Sequence, residues 1–131
     1  MAVREPDLTR ILGYYTISPG AIEFSHAPTA LSRKLGRYEV PVFRLGRLAI
    51  DLSMQGQGLG GDLLLAAAER ALAVSEVVGG LALAIDAKDE KAARWYSGFG
   101  ALPLLDDPLR LVLPLSIVRK EIDRAAKVAP S

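Results

Sequence analysis

Four of the six residues from 56 to 61 are glycine, and this segment of the sequence is the best suited to binding chemistry. Glycine leaves the backbone N–H groups uncovered, so a bulky anion can approach them closely. A long helical pattern begins directly after these glycines, and the first turn of a helix offers unpaired N–H groups at the positive end of its dipole. Together these features predict an anion-binding loop, most often one for phosphate.

One phosphate-binding pattern that fits this loop is the dinucleotide pattern G-x-G-x-x-G, which Gly56, Gly58 and Gly61 satisfy. Asp86 ends the next strand pattern, near the expected position of a ribose-binding acid. Four residues separate Asp51 from the first glycine, whereas the dinucleotide motif places that glycine almost directly after the strand. A dinucleotide-binding fragment is therefore an alternative that the spacing disfavours. A Walker phosphate loop is excluded because no Lys-Ser or Lys-Thr pair follows the glycines.

Side chains that could react are scarce elsewhere in the chain. The absence of cysteine excludes disulfide frameworks, thiolate zinc sites, iron–sulfur clusters and cysteine nucleophiles. The single histidine, His26, excludes multi-histidine metal sites, and a lone histidine in an irregular segment is more often a bystander than a general base. Glu23 and Glu39 are weaker candidates for a base that acts through water. No metal cofactor is expected.

The elements that must position the loop alternate between strand and helix patterns, which predicts an α/β fold. The turn residues Ser18, Pro19 and Gly20 are expected to end the first strand. Gly46, inside the second strand, predicts a bulge or a close approach by another backbone. Strand patterns span 11–17, 42–51, 81–85 and 109–113, and helix patterns span 59–78, about 89–97 and 116–127.

Local signals also mark the ends of the helices and the burial of one strand. Gly79 and Gly80 are expected to end the long helix, and Asp89 is expected to cap the next one. The continuous apolar run 81–85 predicts a strand that is covered on both faces of the sheet.

Length, composition and charge indicate one globular unit. A chain of 131 residues that is 50% hydrophobic and 24% charged is expected to form a single domain over 1–131. Without an apolar run of membrane-spanning or signal-peptide length, a soluble cytoplasmic protein is expected. Residues 1–50 carry seven basic and four acidic side chains, whereas residues 51–110 carry five basic and nine acidic ones. This distribution favours a polyanionic partner or reflects ordinary surface mixing.

A second pattern, Q-x-x-G-x-G, is matched by Gln55, Gly58 and Gly60, between a strand and a long helix. At this point the sequence resembles the GNAT (Gcn5-related) N-acetyltransferases, whose corresponding loop binds the pyrophosphate of acetyl-coenzyme A. The longer motif Gln-Gly-Gln-Gly-Leu-Gly resembles in particular that of the toxin branch of the family, found in bacterial toxin–antitoxin pairs. The resemblance covers about residues 11–115, with supporting segments at 13–15 (GYY), 45–49 (LGRLA) and 92–100 (AARWYSGFG).

The resemblance implies an acetyl-CoA site and a catalytic tyrosine. Backbone groups of Leu48, Ala49 and Ile50 would hold the pantetheine arm. Tyr96 is in the place where the family keeps its general acid, and a phenol with a pKa of about 10 is protonated at neutral pH. The spacing of Tyr96 with its helical neighbours is equally typical of a buried helix face. The pyrophosphate would contact the loop, whose members are Gln55, Gly56, Gln57, Gly58, Leu59, Gly60 and Gly61.

The toxin branch also implies particular partners. Its members acetylate the α-amine of amino acids carried on tRNA, so the resemblance implies aminoacyl-tRNA as substrate, a ribbon–helix–helix antitoxin and a homodimer. A separate general base is not required, because an α-amine with a reference pKa near 8 is partly neutral at physiological pH. Basic residues that would meet tRNA phosphates, or form a solvated face, are Arg4, Arg10, Arg33, Lys34, Arg37, Arg44 and Arg47.

Only twelve residues precede Gly13, whereas the family normally begins with a strand and one or two helices that form part of the acceptor pocket. We therefore expect a GNAT-like mixed, mainly antiparallel sheet packed by helices, lacking that first strand and those helices, with residues 116–131 as a C-terminal helical extension. An exposed strand would invite pairing with another chain. The two main hypotheses are an acetyl-CoA-dependent N-acetyltransferase acting on a primary amine and a GNAT-fold binding or regulatory protein without catalysis.

Overall fold

The computed structural model describes residues 2–4, 11–23, 26–28, 40–50, 56 and 58–128. The helices in this part of the chain are α1 (Leu59–Val78), α2 (Glu90–Ser97) and α3 (Leu115–Val128). The strands are β1 (Ala2–Arg4), β2 (Ile11–Ile22), β3 (Val40–Ile50), β4 (Ala82–Asp86), β5 (Leu102–Pro103) and β6 (Arg110–Pro114).

The six strands described here form one sheet in the order β1-β2-β3-β4-β6-β5. Neighbouring strands are antiparallel except for β3 and β4, which run parallel. The sheet is therefore mixed and mainly antiparallel, as predicted. The dinucleotide-binding alternative is wrong, because that fold requires a mostly parallel sheet.

Each face of the sheet has its own apolar cluster. The first cluster includes residues from all three helices, so these helices pack on the same face. The second cluster lies on the opposite face and includes Val40, Val42, Ala27 and Leu104. β4 contributes Leu83 and Ile85 to the first cluster and alanines 82 and 84 to the second. The prediction that this strand is covered on both faces is confirmed.

β3 carries one residue more than its partner β2 at Gly46. Thr16 pairs with Arg47 and Ile17 pairs with Leu45, which leaves Gly46 as the extra residue of a β-bulge. A Cβ at this position would lie 2.7 Å from Thr16 Oγ1, so the close approach of β2 also favours glycine. The bulge predicted for this glycine is confirmed, whereas the close approach comes from a side chain and not from another backbone.

The first strand continues beyond the turn residues that were expected to end it. β2 extends to Ile22, with Ser18, Pro19 and Gly20 paired to residues of β3. Pro19 is tolerated in β2 because β1 pairs with β2 only at Ile11, Gly13 and Tyr14. From residue 16 onwards β2 has no second partner strand among the described residues, and proline is acceptable on such an edge.

The helix boundaries follow the sequence signals closely. α1 has the predicted limits and ends at Gly79, whose N–H donates to the carbonyl of Ser75 at 2.9 Å. α2 begins after Asp89, as expected, because its carboxylate accepts a hydrogen bond from the Ala92 N–H at 2.8 Å. β4, β6 and α3 each lie within about one residue of the predicted limits, whereas the short strands β1 and β5 were not predicted. None of the described helices has the length and apolar character needed to cross a membrane.

The two glycines after α1 provide a matched test of core packing. Gly80 has φ +121°, and a Cβ there would lie 2.6 Å from the ring of buried Phe43. Gly79 has φ +88° and open space around it. We expect Gly80→Ala to lower the free energy of unfolding by about 2–5 kcal/mol, from backbone strain and overpacking together. Gly79→Ala should cost only the strain, about 1–2 kcal/mol. Urea unfolding followed by circular dichroism measures both, and equal losses would contradict this packing.

Candidate active site

A cavity opens where the two parallel strands stop pairing. β3 and β4 pair from Val42 to Leu45, and the last pair is Leu45 with Ile85. β3 continues to Ile50 while β4 ends at Asp86, so the two strands separate beyond the Gly46 bulge. The resulting cavity has a volume of about 250 Å³ and is lined by Leu45, Gly46, Arg47, Leu48, Ile85, Asp86, Lys88, Ala92 and Tyr96.

The segment of β3 beyond the bulge is the one predicted to hold pantetheine. Leu48, Ala49 and Ile50 pair with β2 on one side. On their other side no described strand pairs with them, because the last β3–β4 pair is at Leu45. Their backbone groups on that side are therefore free of sheet pairing, and Leu48 lines the cavity.

Tyr96 reaches the same cavity from α2. Its side chain lies one helical turn after Ala92, and both residues line the cavity together with Lys88, which precedes the helix. Tyr96 is half-buried, and burial raises the pKa of its phenol above the ordinary value. Among the described residues, no buried side-chain oxygen lacks a hydrogen-bond partner. No described group hydrogen-bonds the Tyr96 hydroxyl, and Tyr96 lines the cavity.

The glycine loop has the backbone geometry expected of an anion cradle. Gly56 and Gly58 have φ values of +81° and +82°, and a Cβ at either position would meet nothing within 4 Å. Gly58 is the N-cap of α1 and provides no side-chain cap for the first-turn N–H groups. These N–H groups and the helix dipole therefore suit an anion at this end of α1. Gln55 and Gln57 lie outside the described residues.

One loop glycine has a packing role that the sequence did not reveal. Gly61, in the first turn of α1, faces Phe99, and a Cβ there would lie 3.2 Å from the ring. Phe99 lies three residues after Tyr96 and packs against the same apolar cluster. The start of α1 and the tyrosine are therefore connected through this one aromatic contact.

Charged side chains around the cavity were missed as site residues by the sequence analysis. Asp86, considered only as a ribose-binding acid, lies 3.7 Å from Arg44 Nη1 and 3.6 Å from Arg110 Nε. Arg47 donates a 3.5 Å hydrogen bond to the Tyr14 hydroxyl, which raises the pKa of the guanidinium. Lys88 lines the cavity without an ion-pair partner among the described residues. The sequence signal for Asp86 and Lys88 was their place at the end of a buried strand.

His26 lies away from this cavity. Its Nδ1 is 3.4 Å from the carboxylates of Glu23 and Asp106, near the end of β2 that pairs with Val40. The histidine is not among the cavity-lining residues. In the described part of the chain, no group of three or more acidic or histidine side chains could hold a metal ion.

Comparison with known sequences identifies relatives over most of the chain. The chain is 30% identical over 123 residues to the probable toxin TacT of Sinorhizobium fredii (strain NBRC 101917 / NGR234), covering 88% of this chain and 68% of the relative. It is 33% identical over 110 residues to a tRNA-acetylating toxin of Mycobacterium tuberculosis (strain ATCC 25618 / H37Rv), covering 84% of this chain and 66% of the relative. The chain thus spans about two thirds of the length of these relatives. No protein-family model matches it.

Solved structures of the toxin AtaT are also similar to this chain. AtaT in complex with acetyl-methionyl-tRNAfMet is 32% identical to this chain with a TM-score of 0.81, covering 90% of this chain and 70% of AtaT. A tyrosine-to-phenylalanine mutant of AtaT, bound to acetyl-CoA and the C-terminus of the antitoxin AtaR, is 31% identical with a TM-score of 0.70, covering 86% and 66%. The chain therefore belongs to the GNAT family of N-acetyltransferases, in the branch formed by the toxins of toxin–antitoxin systems.

Proposed function

We propose that this protein transfers the acetyl group of acetyl-CoA to the α-amine of aminoacyl-tRNA. The observation that carries the proposal is the cavity between β3 and β4, which Leu48 and Tyr96 line together from different elements. The relative named for tRNA acetylation and the AtaT complex with acetyl-methionyl-tRNA support this choice of acceptor. The AtaT structure with acetyl-CoA supports the donor.

In the proposed reaction, residues of this chain bind acetyl-CoA, orient its acyl carbonyl and protonate the leaving sulfur. Acetyl-CoA would supply an activated thioester. The first-turn N–H groups of α1, with Gly56 and Gly58 before them, bind the pyrophosphate. Unpaired backbone groups of Leu48, Ala49 and Ile50 orient the acyl carbonyl, and such positioning provides much of the rate acceleration.

Tyr96 holds the proton that the leaving group needs. The amine nitrogen forms the new bond to the acyl carbon, and the carbon–sulfur bond breaks with its electron pair going to sulfur. The Tyr96 hydroxyl gives its proton to that sulfur, and the proton lost by the amine restores the balance through solvent. The raised pKa of Tyr96 keeps the phenol protonated at neutral pH, as an acid requires.

Removing the phenolic oxygen of Tyr96 tests its proposed role as the general acid. We expect Tyr96→Phe to lower kcat about 100- to 10,000-fold, the usual contribution of general acid–base catalysis, without weakening acetyl-CoA binding. Mass spectrometry of acetylated aminoacyl-tRNA gives the rate, and calorimetry gives the affinity. Tyr14→Phe is the matched control, because it removes a hydroxyl that contacts only Arg47 among the described residues.

The pH profile of the same reaction provides a second measurement. The rate should rise as the acceptor amine deprotonates near pH 8 and should not fall again below about pH 10, where an ordinary phenol loses its proton. A fall with a midpoint below about pH 10, or full activity of Tyr96→Phe, would contradict the assigned role. Acetyl-CoA binding without transfer to any amine by the native protein would indicate the binding or regulatory function instead.

We further propose a protein partner, a cellular location and a domain organisation for this protein. An antitoxin partner is supported by the AtaT–AtaR complex, and we propose the ribbon–helix–helix type for it. These substrates imply a cytoplasmic location. We also propose that residues 1–131 act as one domain, because α3, in the C-terminal extension 116–131, packs into the same apolar cluster as α1 and α2.

A homodimer is the further component of this proposal, and the open edge of β2 supports it. From Thr16 to Ile22 this edge has no pairing strand among the described residues, and such edges pair with other chains. We expect light scattering at micromolar concentration to give twice the monomer mass of 14.0 kDa. Ser18→Lys places a charge on this edge and should weaken association, whereas Ser116→Lys on α3 should not. A mass of one chain would contradict the dimer.

A further inference from the structure

The only tryptophan of the sequence, Trp95, is unusually exposed for its size. It lies on α2 next to Tyr96 and keeps 40% of its surface open to solvent. An exposed indole provides a flat aromatic surface on which a nucleobase can stack. The catalytic role proposed for Tyr96 does not use this surface.

The neighbours of Trp95 connect its ring to the cavity-lining Tyr96 and, through Phe99, to the start of α1. Its centroid lies 5.0 Å from that of Tyr96 and 4.9 Å from that of Phe99, with interplanar angles of 72° and 66°. Phe99 in turn contacts Gly61 in the first turn of α1. Near-perpendicular contacts of this kind are favourable and hold the indole in place. One exposed ring is thereby held close to both parts of the proposed acetyl-CoA site.

The surface around Trp95 also carries unpaired positive charge. Lys88, Lys91 and Arg94 are exposed, and none forms an ion pair with another described residue. The carboxylate of Asp89 is used for the cap of α2, and Glu90 occupies the first turn of the helix, where the dipole favours an acid. Cations beside an exposed aromatic ring are the combination that binds nucleotides, since phosphates and bases are recognised together.

We propose that Trp95 is the stacking surface for an adenine base, with Lys91 and Arg94 beside it for the phosphates. This inference rests on the proposed function, whose two substrates both carry adenine, in coenzyme A and at the 3′ end of tRNA. Coenzyme A is favoured, because its pyrophosphate joins the pantetheine arm to the adenosine. The ring of Phe99 packs on both Gly61 and Trp95, so a pyrophosphate at the start of α1 has one aromatic ring between itself and the indole.

Fluorescence with tryptophan-selective excitation tests this directly, because Trp95 is the only tryptophan of the sequence. We expect coenzyme A and ADP to quench the emission saturably, and pantetheine, which lacks adenine, to leave it unchanged. A CCA trinucleotide separates the two sources: quenching by CCA without quenching by coenzyme A assigns the surface to the tRNA end. The absence of quenching by every adenine-containing ligand would overturn the proposal.

Two variants separate stacking from a merely structural role. Trp95→Leu removes the aromatic surface and should weaken coenzyme A binding about 5- to 100-fold by calorimetry, while pantetheine binding is unchanged. Trp95→Phe keeps an aromatic ring and should recover most of the affinity. Equal weakening of coenzyme A and pantetheine by Trp95→Leu would overturn the stacking role. Coenzyme A binding to the native protein without quenching would leave the proposed function standing, whereas failure of coenzyme A to bind at all would refute that function too.

Discussion

The extra residue at Gly46 determines how β3 can pair on its two sides. Phe43 and Leu45 contribute to the first apolar cluster, and after the bulge Leu48 contributes to it as well. Side chains alternate along a regular strand, so a step of three residues on one face requires the inserted residue. Beyond this point β3 remains paired with β2 and separates from β4. The cavity and the unpaired backbone of the strand are both consequences of this separation.

The remaining parts of the site are positioned by their contacts with the same core. α2 begins where the Asp89 carboxylate caps it, which sets the rotation that brings Tyr96 to the cavity. α1 begins at Leu59, and Gly61 in its first turn packs on Phe99. A donor that binds across the start of α1 and the cavity therefore contacts elements whose relative placement is fixed by apolar packing. An acyl transfer that is accelerated by positioning requires binding groups whose geometry is fixed before the substrate binds.

The sequence predicted the parts that depend on local chemistry. α1 was predicted with its observed limits because its apolar periodicity and terminal glycines are local signals. The continuation of β2 through Pro19 was not predictable, since it depends on this strand lying at an edge. The spacing around Tyr96 indicated a buried helix face, and in the structure Tyr96 both packs against the first apolar cluster and lines the cavity. The packing of Gly61 was not predictable from local signals either, because its partner, Phe99, lies after the end of α2.

We expect acetyl-CoA to bind across the open side of β3 and the start of α1. Hydrogen–deuterium exchange with and without saturating acetyl-CoA measures this at each backbone amide. Acetyl-CoA should slow exchange at Leu48 to Ile50 and at Gly58 to Gly61, with α3 unchanged as the internal reference. Saturable binding of acetyl-CoA without protection of these two segments would contradict it.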